Sequence, residues 1–259
     1  MKILHICDAN HIIMGANSNI GSVWESKREE KNFFRNIFSK SKLKSKKITT
    51  PALILEKCNG ISLGSSTIRS LIFSTDMALI ENNDADAVLA VYPFTPSPKI
   101  MKALIEFSGK PVICGVGGGM TQGKVSMEMA IAAEGMGAAA IIVNQPFRNK
   151  HIEEIKRKVS IPIISSVSIK EFFFRDRVNA GVDIFHVTGG SNTASIIEHI
   201  NYAAPCYPII ATGGQTIGSI ESSIHAGADA IVLTPPSSGE LFKTIMNQYR
   251  TGYKNLKTV

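Results

Sequence analysis

Glu56 and Lys57 are neighbouring side chains that could carry out chemistry. They end a short apolar run that begins after Pro51 and that we predict to be a strand. A carboxylate can act as a general acid or base, and an amine can protonate a carbonyl oxygen or form a Schiff base. Because strand side chains alternate, only one of the two can point into a site. An ion-paired strand end without a catalytic role is the competing interpretation.

Amides, hydroxyls and one histidine end the later apolar runs. Asn144 ends one of these runs, and Ser165 and Ser166 end the next. Such groups orient substrates by hydrogen bonding, so we predict that Asn144 belongs to a catalytic site. His186 lies near the end of a further run, and it is either a proton-transfer group or a buried histidine tied to a neighbour.

A second group of residues is suited to holding a phosphate. Glycines let backbone N–H groups approach an anion closely, and the start of a helix adds unpaired donors and a partial positive charge. Serine, threonine and lysine side chains can add further donors. The predicted binding residues are Gly189, Gly190, Gly213, Gly214, Ser237, Ser238, Gly239, Thr121 and Lys124. The alternative is that the glycines only form tight turns.

The stretch from Gly118 to Lys124 matches most of a phosphate-binding Walker A loop. Val125 stands where that loop needs a serine or threonine to hold magnesium. A P-loop ATPase is therefore a poor interpretation. We expect a glycine-rich loop from which Thr121 and Lys124 contact an anionic substrate.

A tandem repeat supplies the elements that would position these residues. Pro162 is followed 21 positions later by Asp183, and Pro208 is followed 21 positions later by Asp229, with a short apolar run at each of the four places. Two weaker copies lie upstream. Each copy reads as two buried strands joined by a helix, so four copies predict eight parallel strands, the number that closes a (β/α)₈ TIM barrel. A doubly wound open sheet is the alternative.

The predicted strands can be placed from the repeat. In such barrels the chemistry lies where strands end and helices begin, and the last two of these loops commonly hold a phosphate. Asp183 and Asp229 begin their strands, and we expect them to stabilise turns at the opposite end. Metal ligands are not predicted. The predicted strand centres are residues 52–56, 87–91, 112–115, 139–144, 162–166, 183–188, 208–212 and 229–234.

Charge divides the 259-residue chain into two parts. Residues 1–47 contain ten lysines and arginines against four acidic residues, which accounts for six of the seven net positive charges. We predict a basic N-terminal extension over residues 1–47 and a single barrel domain over residues 48–259. The basic charge lies outside the predicted domain, so a nucleic-acid partner is not expected.

Composition excludes some classes of protein. Hydrophobic residues make up 44% of the chain and charged residues 19%, as in ordinary globular domains. No apolar run approaches the ~18 residues that span a membrane, and no export signal is evident. We therefore expect a cytoplasmic protein without a membrane partner. Its four cysteines lack paired spacing and are expected to be free thiols.

Several segments resemble known barrel families. The last repeat, from Pro208 to Phe242, is similar to the phosphate end of ribulose-phosphate-binding barrels and of FMN-dependent barrels. Four segments more closely resemble a bacterial barrel family usually labelled "hydrolase", over about residues 48–250. That resemblance implies the fold and no particular substrate. The four segments are residues 60–66, 91–96, 114–119 and 234–242.

Three functions are compatible with these features. We favour an enzyme that binds a small phosphorylated metabolite at the C-terminal end of the barrel and carries out proton-transfer, lyase or isomerase chemistry. A hydrolase of a phosphorylated or anionic small molecule is the first alternative. The second is a barrel that binds FMN or a nucleotide, although no cofactor is predicted firmly. The sequence leaves self-association into a homo-oligomer open.

Overall fold

Eight parallel strands close into a barrel in the computed structural model, which describes residues 47–214 and 216–256. A helix, α1 (Ala52–Lys57), and an antiparallel hairpin of β1 (Ile61–Leu63) and β2 (Ser66–Ile68) precede it. The closed order is β10-β3-β4-β5-β6-β7-β8-β9. The barrel strands are β3 (Ser70–Phe73), β4 (Ala87–Ala90), β5 (Val112–Gly117), β6 (Ala140–Val143), β7 (Ile163–Val167), β8 (Ile184–Val187), β9 (Ile209–Thr212) and β10 (Ala230–Leu233).

Each barrel strand is followed by a helix, so the architecture is the (β/α)₈ TIM barrel that the repeat predicts. A short 3₁₀ turn, Gly190–Asn192, precedes the helix after β8. The helices are α2 (Met77–Glu81), α3 (Pro98–Ser108), α4 (Lys124–Gly135), α5 (Asn149–Lys156), α6 (Phe174–Asn179), α7 (Thr193–Ala203), α8 (Ile217–His225) and α9 (Ser238–Leu256).

The first predicted strand is wrong. Residues 52–57 form the helix α1, and the first barrel strand begins at Ser70. A short apolar run fits a strand or a helical turn equally well, and only its burial pattern separates the two. Ile54 is buried whereas Ala52 and Leu55 are exposed, which suits a helix that packs on one side. The other seven strands lie where the repeat predicts them.

Two apolar layers form the core. The inner layer fills the barrel, where Leu71, Leu89 and Ile113 pack together, and hairpin residues such as Ile61 and Ile68 join it from below. The outer layer lies between the strands and the surrounding helices. Strands buried on both faces explain the continuous apolar runs in the sequence.

Aspartates fix the N-terminal ends of the strands, which is the end of the barrel where the sequence places Asp183 and Asp229. Asp183 accepts the backbone N–H of Ile163, the first residue of β7, at 2.8 Å. Asp229 accepts that of Ile209, the first residue of β9, at 2.9 Å. Asp86 does the same at the start of β3. Each carboxylate thus satisfies a strand N–H that has no partner in the ladder.

The predicted N-terminal extension covers residues 1–47, and all of it except Lys47 lies outside the residues that the structure describes. Ile48 then pairs with Asn83 beside the start of β4. Within the described residues, no helix combines the length and the apolar character needed to cross a membrane.

Candidate functional site

Hydrogen-bonding side chains occupy half of the barrel mouth at the C-terminal ends of the strands. They lie two positions beyond inner-core isoleucines of four consecutive strands, β6 to β9, and therefore also point inward. The corresponding positions of β3 to β5 are Phe73, Val91 and Gly115, and that of β10 is a further hydroxyl, Thr234. We call the hydrogen-bonding set the polar arc, and it comprises Asn144, Ser166, His186 and Thr212.

Three members of the polar arc form a continuous hydrogen-bonded chain. The Ser166 hydroxyl lies 3.0 Å from Nδ1 of His186, and Nε2 of His186 lies 3.0 Å from the Thr212 hydroxyl. Ser166 and His186 are buried, whereas Thr212 is partly exposed at the mouth. Thr212 is therefore the end of the chain that a ligand can reach.

The imidazole of this chain is neutral at physiological pH. Burial lowers the pKa of His186 to about 4, because desolvation disfavours the charged form. A neutral imidazole has one N–H donor and one acceptor nitrogen. The hydrogen bonds from Ser166 through His186 to Thr212 can therefore all point in either direction. Thr212 can accordingly present either its proton or a lone pair to the mouth.

His186 is also chemically isolated from other ionisable groups. In the eight described barrel strands, Cys114 is the only other ionisable side chain, and it points outward into the helix layer. The next layer down is aliphatic throughout. A buried polar group costs free energy unless it is hydrogen-bonded, so a chain of three in this position is a feature that packing alone does not require.

Asn144 lies against the glycine-rich loop after β5. A Cβ atom on Gly118 would lie 2.9 Å from Nδ2 of Asn144, so glycine is needed there for close approach. Gly118 N–H also donates to the Thr121 carbonyl at 2.9 Å. The loop and the amide of Asn144 therefore form one packed unit of the rim.

Arg177 holds the loop after β6 and was not anticipated from the sequence. Its guanidinium donates to the carbonyl of Gln145 at 2.6 Å, to Oδ1 of Asn149 at 2.7 Å and to the carbonyl of Phe147. Burial lowers the pKa of Arg177 to about 10, which leaves it charged at pH 7. This role could not be anticipated because no local sequence pattern indicates a fully buried cation with several hydrogen-bond acceptors.

Amide side chains join this loop to its neighbours. Oε1 of Gln145 accepts from the backbone and the hydroxyl of Ser168, at 2.8 and 3.0 Å. Gln122 donates to the carbonyl of Pro146 and accepts from the N–H of Arg148, both at 3.2 Å. The rim from β5 to β7 is thus held together next to the polar arc.

Glu56 and Lys57 do not lie at the barrel mouth. They belong to α1, both side chains are exposed, and Lys57 pairs with Glu221 of α8 at 3.2 Å. Shortly after α1, the N–H of Gly60 donates to the carbonyl of Asp229, which precedes β10. The pair therefore lies toward the N-terminal end of the barrel. The placement of both residues at a strand end, on which their predicted role depended, is corrected.

Packing accounts for two of the glycines in the predicted phosphate group. A Cβ atom on Gly213 would lie 2.7 Å from Cγ2 of Ile231 and 2.8 Å from Cγ1 of Ile220. One on Gly189 would lie 2.4 Å from Cδ1 of Ile196. Both positions need glycine because buried side chains come close, whether or not a ligand binds.

Gly190 and Gly214 differ from these two. Each has a positive φ, 60° and 75° respectively, and each is exposed at the mouth beside β8 and β9. A Cβ on Gly190 would meet nothing within 4 Å, whereas one on Gly214 would lie 2.6 Å from Oγ of Ser219. These two turns leave backbone accessible beside Thr212.

Ser237 and Ser238 are already engaged by carboxylates of the chain. The Ser237 N–H and hydroxyl both donate to Oε2 of Glu240 at 2.8 Å, which forms a capping box at the start of α9. Hydrogen bonds from the Ser238 hydroxyl and N–H hold the pKa of Asp76 below its usual value. Gly239 lies in the first turn, and its missing Cβ faces open space.

Thr121 and Lys124 lie at the edge of the mouth. The Thr121 carbonyl accepts from the Ser126 hydroxyl at 3.0 Å. Lys124 begins α4, and its ammonium lies 3.8 Å from Glu128 with 82% of the side chain exposed. Its charge is thus available to solvent, outside the polar arc.

A cleft of about 640 Å³ opens at the other end of the barrel. It is lined by the strand starts around Asp183 and Asp229, with Lys156, Cys206 and Tyr207. Lys156 donates to both oxygens of Asp183 at 2.7 Å. Because these carboxylates are committed to strand N–H groups and to Lys156, we favour the mouth over this cleft as the site of chemistry.

Metal binding finds no support in the part of the chain that the structure describes. No three histidine, cysteine, aspartate or glutamate side chains of residues 47–214 and 216–256 are grouped so that they could hold an ion. Hydroxyls, an amide and a neutral imidazole line the mouth instead.

Comparison with known proteins identifies the fold alone. The chain matches no protein-family model and no curated protein sequence. It resembles the solved structure of a phosphonopyruvate hydrolase in complex with oxalate and Mg²⁺, with a TM-score of 0.57 and 12% identity over 75% of this chain and 84% of that one. It also resembles a phosphoenolpyruvate phosphomutase from Streptomyces platensis subsp. rosaceus, with a TM-score of 0.54 and 14% identity over 75% and 84%. At such identities the shared feature is the barrel, and kinship with ribulose-phosphate-binding barrels stays a prediction.

Proposed function

We propose that this protein is an enzyme that binds a small phosphorylated or otherwise anionic metabolite at the C-terminal mouth of its barrel. The reaction is a proton transfer of the lyase or isomerase type. The observation that carries the proposal is the buried chain from Ser166 through His186 to Thr212, which reaches the mouth only at Thr212.

The hydrogen-bonded chain supplies a base, His186, that acts through the hydroxyl of Thr212. With the Nδ1 proton of His186 donated to Ser166, Nε2 is free to accept the Thr212 proton. The Thr212 oxygen then takes a proton from the substrate, so that the imidazole gains a proton and the substrate loses one. Asn144 would orient the substrate from the neighbouring strand by hydrogen bonding.

An anionic ligand makes this base effective. Burial alone keeps the pKa of His186 near 4, and a negative charge at the mouth would raise it by favouring the imidazolium form. The ligand thereby provides the negative charge that stabilises the imidazolium form of His186. Gly190 and Gly214, on either side of Thr212, are the backbone turns that would hold its anionic group.

A hydrolase acting at the same mouth is the second candidate. The structural likeness to a phosphonopyruvate hydrolase is the observation that favours it. That protein was solved with Mg²⁺, but the described residues of this chain contain no group of three histidine, cysteine, aspartate or glutamate side chains that could hold a metal ion. In the hydrolytic reaction the Thr212 oxygen would take its proton from water.

The test is a thermal-shift screen of sugar phosphates, phosphonates, dicarboxylates and nucleoside monophosphates, since binding to the native state raises its stability. Hits are then incubated with the enzyme, and products are followed by ¹H and ³¹P NMR, which separates isomerisation and bond cleavage from hydrolysis. An intrinsic yellow colour would indicate bound flavin instead.

Thr212→Val is the decisive variant because it removes the hydroxyl and keeps the shape. We expect turnover of an active hit to fall at least about a hundredfold, the lower end of what a positioned proton-transfer group contributes. Thr244→Val, on the exposed side of α9, should change nothing. Full activity in Thr212→Val would overturn the proposal.

A further inference from the structure

Arg177 carries a positive charge that the proposed proton transfer does not use. Its side chain is only 2% exposed, and it reaches from α6 to the loop after β6. Its three hydrogen-bond acceptors, the carbonyls of Gln145 and Phe147 and Oδ1 of Asn149, are all neutral. Burial lowers its pKa only to about 10, so the guanidinium stays charged at pH 7.

No negative side chain of the described residues compensates this charge. Across residues 47–214 and 216–256, no carboxylate forms an ion pair with Arg177, and its Nε has no hydrogen-bond partner. The ring of Phe172, with its centroid 5.3 Å from Cζ, attracts the cation more weakly than a carboxylate would. By contrast, the partly exposed Lys156 is paired with Asp183 at 2.7 Å.

Anchoring the loop does not by itself require a charge. A neutral amide side chain can also donate hydrogen bonds to carbonyl groups. A buried charge without a counter-charge costs considerably more free energy than a hydrogen-bonded amide. The charge of Arg177 is therefore a feature that the fold alone does not explain.

The charge lies close to the polar arc. The carbonyl that Arg177 contacts at 2.6 Å belongs to Gln145, the residue directly after Asn144. Covalent geometry then places the guanidinium no more than about 12 Å from the side-chain amide of Asn144. With the effective dielectric constant usual in proteins, a unit charge at about 12 Å changes the affinity for an anion by about tenfold.

We propose that Arg177 is the buried counter-charge for the ligand, which stabilises a negative group at the polar arc through space and without contact. This inference rests on the proposed function and deepens it, because it supplies the positive charge that draws an anion to a mouth lined by neutral side chains. A buried charge is screened little by salt, so its effect should persist at physiological ionic strength.

The test changes the charge and the hydrogen bonds of Arg177 separately. Arg177→Gln keeps N–H donors and loses the charge, whereas Arg177→Lys keeps the charge and loses the planar set of donors. Arg175→Gln is the matched control, since it removes the same charge from an exposed position in the same helix. Binding of inorganic phosphate is measured by calorimetry, and urea unfolding gives the stability of each variant. Arg177→Met is a second neutral variant in case Arg177→Gln does not fold.

We expect Arg177→Gln to bind phosphate about three- to tenfold more weakly than the unaltered protein, with Arg177→Lys and Arg175→Gln within about twofold of it. Both Arg177 variants should be less stable, because both lose hydrogen bonds to the loop. A purely structural role would therefore weaken phosphate binding in both.

Unchanged phosphate affinity in Arg177→Gln would overturn the inference, and so would an equal loss in Arg177→Gln and Arg177→Lys. Either result would leave the proposed function standing, because Thr212→Val tests that function separately through turnover. Failure of the unaltered protein to bind phosphate would overturn the inference and also contradict the anionic ligand of the proposed function.

Discussion

The two ends of the barrel use polar residues in opposite ways. At the N-terminal end, Asp183 and Asp229 each accept a strand N–H, and Lys156 neutralises one of them. At the C-terminal end, His186 is uncharged, and its bonds run to the side chains Ser166 and Thr212. The first arrangement satisfies backbone N–H groups of the strands. In the second, the side chains hydrogen-bond to one another.

This difference teaches that ionisable groups and a cleft at one end of the barrel do not by themselves identify that end as the ligand site. The N-terminal end has more ionisable groups and a cleft of about 640 Å³, yet its carboxylates already have structural partners. The mouth contains a buried hydrogen-bonded chain of side chains that packing does not require. A stability role and a functional role can therefore be separated by variants at the two ends.

The largest effect expected concerns His186 and pH. Its folded pKa of about 4 lies below the ordinary value of 6.5. The unfolded chain therefore binds a proton in this window and the folded one does not, so the free energy of unfolding should fall as pH decreases from about 6.5 to about 4. The loss should be about 3 kcal/mol.

Urea unfolding at pH 7 and pH 4 measures this loss. His186→Gln keeps a hydrogen-bonding side chain without the titration and should show a much smaller pH dependence. His225→Gln, at an exposed position, should behave like the unaltered protein. The same pH dependence in His186→Gln would mean that the histidine is not buried as a neutral group.

Asp183→Ala tests the structural assignment of the N-terminal end. Without the carboxylate, the N–H of buried Ile163 loses its partner, and we expect a loss of about 2 kcal/mol in urea unfolding. Asp183→Asn keeps an acceptor and loses only the half-exposed ion pair, which should cost less than about 1 kcal/mol. Unchanged stability combined with lost ligand binding would make this end a ligand site and reverse the comparison.

Gly213→Ala distinguishes packing glycines from accessible ones at the mouth. Its Cβ would collide with Ile231 and Ile220, so we expect a destabilisation of about 1–3 kcal/mol. Gly239→Ala meets nothing within 4 Å and lies in a helix, where alanine is favoured by up to about 1 kcal/mol. Thermal or urea unfolding of the two variants gives the difference. Equal stabilities would show that the space around Gly213 is not as tight as described.

The smallest expected effect concerns thiols and involves no loss of stability. Cys206 is exposed in the N-terminal cleft, whereas burial raises the pKa of Cys58 to about 11 and that of Cys114 to about 12. Iodoacetamide should therefore modify Cys206 well before those two, as peptide mass spectrometry can measure. The modified protein should retain ligand binding at the mouth. Loss of binding would point to the cleft.

The fold was predictable because its units repeat. The spacing from Pro162 to Asp183 recurs from Pro208 to Asp229, and strands buried on both faces leave continuous apolar runs. The first barrel strand, β3, was not predicted because Ser70 and the preceding Arg69 are polar and bond to Asp86. No long apolar run therefore marks this strand. The apolar run that was predicted to be the first strand, residues 52–56, belongs to the helix α1, which packs on one side.

The site was predictable only in part. Alternation along strands could assign Asn144 and His186 to the mouth, because that rule is local. The partnership of His186 with Ser166 and Thr212 depends on the register between three strands. The contacts of Arg177 exist because α6 packs beside the loop after β6. No pattern within a single segment carries that information.

The most direct test of the account is a ¹H–¹⁵N titration of the protein with the first compound that the thermal-shift screen identifies. We predict that the largest shift changes fall at the strand ends of the mouth, on Asn144, Thr188, Gly190 and Thr212. Changes concentrated on Gly60, Tyr207 and Gly227 would place the ligand in the N-terminal cleft and contradict the central claim.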